Sequence, residues 1–216
     1  MPRTLPMLIA AALLAVAGNA AQANVISNGS FETPDTATLI VVGAGDPTIT
    51  NWTVGLVGVD LVDAAGNGFI SGAAADGAQY LDIDGSPGPG SISQTFATTP
   101  ATQYTLTFDY ANNYTTPGTA QALVQVADGA NTYLSNVISH GSSVSGNLDW
   151  TSYPAFTFTA QQASTTLSFM SMSGGVFGGI LLDKIEVNAV PEPASIGLMG
   201  LAATCFFVVR RRRLSV

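Results

Sequence analysis

Residues 104–110, Tyr104-Thr105-Leu106-Thr107-Phe108-Asp109-Tyr110, alternate aromatic or aliphatic side chains with polar ones. Successive side chains of an extended chain point to opposite faces, so Tyr104, Leu106, Phe108 and Tyr110 share one face while Thr105, Thr107 and Asp109 share the other. The segment is therefore expected to be a strand with one face in a core. The alternation returns at 92–96, 156–159 and 167–169, and further β-runs lie at 49–54, 57–62, 79–83, 121–127, 131–135 and 180–187. Gly, Pro, Asn, Asp and Ser separate these runs, notably at 43–47, 84–90 and 141–146, and no stretch holds a helical period for more than a few turns. Eight or more short, half-buried strands at this spacing predict an all-β chain folded as a β-sandwich or jelly roll.

Outward from this body, both ends change character. Arg3, the apolar stretch Leu5 to Val16 and the small residues around Ala21-Gln22-Ala23 form the three parts of a secretory signal peptide, residues 1–23, with an alternative cut after Ala20. At the other end Val190-Pro191-Glu192-Pro193 precedes an uncharged run of 16 residues, 194–209, and then Arg210, Arg211, Arg212 and Arg213. The two prolines disfavour helix for the tetrapeptide. As a helix the apolar run is about 24 Å long, a marginal membrane span that snorkelling arginines help to accommodate. Four arginines resist translocation, so the C-terminus is expected in the cytoplasm and the body outside, in agreement with the signal peptide.

Between the ends, residues 24–189 make one ordinary domain, long enough to bury roughly 70% of its unfolded surface. Of the 14 acidic residues only Glu192 lies outside this stretch, and of the six Lys and Arg only Lys184 lies inside it, giving about −12 at pH 7. Nucleic acids and anionic lipids need a basic footprint, so neither is an expected partner. Divalent cations suit such a surface. The single cysteine, Cys205, falls in the tail, which leaves the domain without a disulfide.

The C-terminal arrangement resembles the PEP-CTERM sorting signal of bacterial surface proteins, over residues 190–213. The resemblance implies an exosortase-type membrane transpeptidase as partner, with Pro191, Glu192 and Pro193 as its recognition motif. Removal of the tail would follow transient anchoring by the helix, delivering the body to the cell surface or extracellular matrix of a biofilm. An ordinary tail anchor with a proline-rich linker is the alternative. A second resemblance rests on Asn28-Gly29-Ser30-Phe31-Glu32, Ser91 to Phe96 and Leu181 to Val187. These look like the DUF642-like, choice-of-anchor families of exported bacterial proteins, which are similar to galactose-binding-like jelly rolls and carbohydrate-binding modules.

By that likeness a structural Ca²⁺ is expected between the first and last strands, held by Glu32 and Asp183 with Asn28 as a further oxygen donor. From the residues alone, Asp183 shares a strand face with Leu181, Ile185 and Val187, so a carboxylate is drawn inside and needs either a cation or several donors. Backbone amides are the alternative to calcium. Asp82 and Asp84 are spaced to point the same way from a strand, as a solvated strand end, a second cation site or a glycosidase pair. His140 is expected to be an exposed loop residue, since no nucleophile elbow accompanies Ser142 or Ser143. Trp52 and Trp150 read as core; Tyr110, Tyr133 and Tyr153 are further rings able to stack on a sugar. Tyr114 with Asn112 and Asn113 is the expected sugar-binding group, an aromatic beside amides. These expectations converge on a non-catalytic, glycan-binding or adhesive surface protein. The alternatives are a structural surface protein without a specific ligand and a hydrolase of matrix polysaccharide.

Overall fold

A computed structural model describes residues 23–173 and 177–191. The expected signal peptide falls almost wholly outside the described residues. So do Glu192, Pro193, the helix over 194–209 and Arg210 to Arg213. Among the described residues the regular structure is all strand, and no helix is long and apolar enough to cross a membrane.

Gln22–Val190 form one compact unit. Its strands are β1 (Leu39–Gly43), β2 (Thr53–Leu56), β3 (Gly58–Asp63), β4 (Gln79–Asp82), β5 (Gly90–Ala97), β6 (Gln103–Asn112), β7 (Ala120–Ala127), β8 (Thr132–His140), β9 (Thr151–Ser152), β10 (Phe156–Thr159), β11 (Ser164–Ser171) and β12 (Ile180–Ala189). They build two antiparallel sheets. The first runs β1-β3-β4-β12-β6-β10 with β9 also on β6, and the second runs β2-β5-β11-β7-β8. Each expected run holds a strand at or near its place. The edge strand β1 and the two-residue β9 were not foreseen, because an apolar run such as Leu39-Ile40-Val41-Val42 lacks the alternation that marks a half-buried strand.

The sandwich core is made by inward-facing residues of both sheets. Leu81, Leu106, Phe108 and Leu182 of the first meet Ile92, Val124, Leu167 and Phe169 of the second, and Phe108 and Phe169 cross edge to face at 5.0 Å between centroids. Tyr104, Leu106, Phe108 and Tyr110 all belong to this core, as the alternation requires.

A second apolar cluster lies on the outer face of the first sheet. Val62, Tyr80, Ala111 and Leu181 supply its base, and Ile70, Leu148 and the half-buried Trp150 close over it from two long connections, 64–78 and 141–150. Those connections are tied together: Trp150 Nε1 donates to Ala73 O at 2.9 Å, Gly146 N to Ser71 O at 3.1 Å, and Ser71 N to the Tyr114 hydroxyl at 2.8 Å. The cover is partial. It leaves open the part of this face where β1, β3 and β4 run side by side, and that opening positions the site.

One expectation about β12 is corrected. Leu181 and Asp183 do share the outer face, but Ile185 and Val187 belong to the inner core. The pairing with β6 shifts between Asp183 and Glu186, and Lys184 takes φ 52°, so a bulge there flips the face. A strict two-residue period cannot register an extra residue.

Candidate functional site

The opening is a cavity of about 490 Å³, within the size range of small-ligand sites. Pairing register builds its floor: Val41 lies opposite Asp60, and Asp60 opposite Asp82, so these three side chains form one row across β1, β3 and β4. Leu39 and Ile70 add apolar wall, and Ser86, Asn113, Thr115 and Thr116 add hydroxyl and amide groups. At the rim stand Phe69 and Phe177, 71% and 54% exposed. Asn67 shapes the turn that presents Phe69: its Oδ1 accepts the N–H groups of Phe69 and Ile70, and its Nδ2 donates to Asp63 O and Ile70 O. Thr116 Oγ1 donates to the carbonyl of Phe177 and so joins the other rim ring to the β6 side.

Three carboxylates gather beneath this opening. Asp60 and Asp82 are buried although they line the cavity, and Asp84, 1% exposed, sits just past the end of β4. Asp60 accepts from Ser86 N at 3.0 Å and from its hydroxyl at 3.3 Å. Asp82 Oδ2 accepts from Asn113 Nδ2 at 2.8 Å, and Oδ1 from Asp84 N at 3.0 Å. Both oxygens of Asp84 are buried and take no hydrogen bond. Desolvation pushes the Asp82 carboxyl up to about 7 and Asp84 up to about 6, with repulsion from Asp60 adding to both. Burial raises Asp60 as well. Asp82 and Asp84 are thus not the solvated strand end that their place before a Gly turn suggested. Spacing along the chain carries no information about what the 177–179 segment lays over them: a Cβ on Gly179 would meet Asp84 Cβ at 2.2 Å and Asp82 Oδ1 at 3.0 Å, so only glycine admits that approach.

Of the expected sugar-binding group, Asn113 alone lines the cavity. Tyr114 is half-buried against the outer cluster. Asn112 is buried and turned to His140, accepting at Oδ1 from Ser143 N and lying 2.7 Å from His140 Nδ1. His140 itself is not an exposed loop residue. It ends β8, is buried, stands edge to face with Tyr110, and has Nε2 2.9 Å from Asp149 O. Trp52 is buried, its Nε1 donating to Asn28 O. The rim rings are phenylalanines, whereas the rings expected to stack on a sugar were tryptophan and tyrosine, which carry a polar handle as well. The available signal was a lone phenylalanine among glycines, in Gly66-Asn67-Gly68-Phe69 and in Gly174-Gly175-Val176-Phe177-Gly178-Gly179.

Glu32 and Asp183, the expected calcium ligands, reach the same connection. Glu32 Oε1 accepts from Ala78 N and Gln79 N at 2.9 and 2.8 Å, and Asp183 Oδ2 from Ala75 N and Asp76 N at 2.8 and 2.9 Å. Asp183 Oδ1 takes Lys184 N at 2.6 Å. Burial raises the Asp183 carboxyl to about 7 against the pull of these amides. Backbone amides, the alternative to calcium, thus occupy Glu32 Oε1 and both oxygens of Asp183. Asn28 does not belong with them, because its side chain bonds Thr33 and the carbonyl of Thr50. No set of three His, Cys, Asp or Glu placed to hold a metal occurs among the described residues.

Two antiparallel sheets packed face to face define an all-β sandwich of the jelly-roll class. The fold is similar to TmCBM61 in complex with β-1,4-galactotriose, at TM-score 0.52 and 17% identity, over 78% of this chain and 99% of that one. It is also similar to part of the arabinose-bound MgGH51 α-L-arabinofuranosidase, at TM-score 0.50 and 10% identity, over 78% of this chain and 27% of that one. The chain belongs to the family described as a protein of unknown function, DUF642, whose model matches residues 24–188, and residues 189–213 match the PEP-CTERM protein-sorting motif. No curated protein matches it.

Proposed function

We propose that this is an exported, non-catalytic glycan-binding protein of the cell surface or extracellular matrix, which takes polysaccharide into the cavity between Phe69 and Phe177. The observation that carries the reading is the pairing of exposed aromatic rings with a floor of hydrogen-bonding groups, Asp60, Asp82 and Asn113, on a carbohydrate-binding-module fold. Sugar rings offer apolar faces to aromatics and hydroxyls to polar side chains, and such a cleft serves both. The β-1,4-galactotriose on the TmCBM61 structure supports a polysaccharide chain as ligand. The sorting motif supports handling by an exosortase-type transpeptidase, after transient anchoring by the tail. Calcium enters the same reading as a structural ion held by Glu32 and Asp183.

Titration of the exported protein with soluble oligosaccharides tests the proposal. Saturable binding is expected, weakened roughly 5- to 20-fold by Phe69→Ala and by Phe177→Ala at unchanged melting temperature, since both rings are exposed. Wild-type affinity in both variants would remove the cavity from the binding site. A second reading, polysaccharide hydrolysis, draws on the Asp82 carboxyl near 7 opposite Asp60. It demands release of reducing ends that Asp82→Asn abolishes.

A further inference from the structure

We propose that the cavity selects sugars bearing a free amino group, seating an ammonium over Asp60 and Asp82. The ligand class is then a de-N-acetylated amino-sugar polymer rather than a neutral or uronic-acid glycan. This rests on the glycan-binding reading and adds to it the charge of the ligand.

The carboxylates are placed at odds with the fold's own stability. Asp60 and Asp82 are direct cross-strand partners on one sheet face, where like charges repel, and both are buried. Asp84 stands beside Asp82, with both buried oxygens unpartnered. An ionised group withdrawn from water needs a counter-charge or a proton. Among the described residues no cation stands here. The partners of Asp60 and Asp82 are the N–H and hydroxyl of Ser86, the N–H of Asp84 and the Asn113 amide. Lys184, the only Lys or Arg among the described residues, lies instead in the bulge of β12. Two acids therefore line an open cavity with a third beside them, and no cation among the described residues offsets them.

An entering ligand meets that field. A uronic acid would bring a further carboxyl to a cluster of three. A neutral sugar donates hydroxyl hydrogens but leaves the net charge as it was. An ammonium offers three donors and a full positive charge to oxygens that retain acceptor capacity. Phe69 and Phe177 serve the same ligand twice, stacking on the ring and attracting the cation to their faces. A metal is the competing occupant, but the described residues place no three acids, histidines or cysteines as its ligands.

The test compares glucosamine oligomers, N-acetylglucosamine oligomers of equal linkage and length, and galacturonate oligomers, by calorimetry on the exported protein. The glucosamine oligomer is expected to bind about tenfold or more tightly than its acetylated counterpart. Asp82→Asn and Asp60→Asn should each bring the ratio toward one; the comparison of amine with acetamide oligomers uses the unaltered protein and decides the matter even where a variant fails to fold. Equal affinity for amine and acetamide oligomers, or preference for galacturonate, overturns the inference and leaves the glycan reading standing. Binding abolished by chelator and restored by calcium also overturns it, assigning the carboxylates to an ion. Absence of binding to every oligosaccharide removes both.

Discussion

Asp82 is a carboxylate that folding carries from water to a site where desolvation outweighs its two hydrogen bonds. Asp60 faces it from β3, Asp84 follows it past the end of β4, and Tyr80 precedes it on its own strand; none of them is positive. Its pKa rises on folding, from about 4 in the unfolded chain to about 7, so the folded state holds the proton more tightly. The stability this contributes is complete below pH ~4 and is lost as pH rises through about 7, with Asp84 and Asp183 acting in the same sense. The melting temperature should therefore fall by roughly 5 °C or more between pH 4 and pH 7, and Asp82→Asn should remove part of the fall. Calorimetry across that window checks it. A melting temperature that climbs instead would mean that these acids are compensated in the folded protein.

At the scale of elements, the connection over 64–78 is what turns a sheet face into a cavity wall. It carries Phe69 and Ile70 to the opening and is pinned at its far end by Glu32 and Asp183, which grip Ala75 to Gln79 by their backbone amides. The bulge at Lys184 allows this. It lets Asp183 face outward to the loop while Ile185 and Val187, just beyond, remain in the core. If calcium joins Glu32 and Asp183, adding it should raise the melting temperature by several degrees, by mass action on the folded state, and Asp183→Asn should abolish the rise. Equal melting in calcium and in chelator would leave the amides as the whole of the clamp.

For the whole molecule, the proposed function gives binding to the acidic body and delivery to the arginine-ended tail. Intact-mass measurement of protein recovered from the producing cells should give a species lacking Arg210 to Arg213, as removal of the sorting signal requires. Recovery of the tail at full length in the mature product would oppose that route. Glycan binding should survive the loss, because the cavity draws all its residues from the compact unit Gln22–Val190.

Local chemistry by itself determined a good deal of this protein. Alternation at 104–110 dictated a strand with its aromatics inward, and charge counting gave an acidic body. The order of Pro-Glu-Pro, apolar run and arginines marked the sorting signal, since those signals lie in contiguous residues. The site was legible only in fragments. Asn113 and the Asp82–Asp84 pair stood out, yet Asp60 did not, because its opposition to Asp82 is a matter of strand register. Nor could the chain show that Phe69 and Phe177, 108 positions apart, stand at one rim, or that Tyr114 turns to a partner at Ser71. Strand pairing and loop packing bring distant residues together, and burial then sets which of them are charged; both are properties of the folded chain alone.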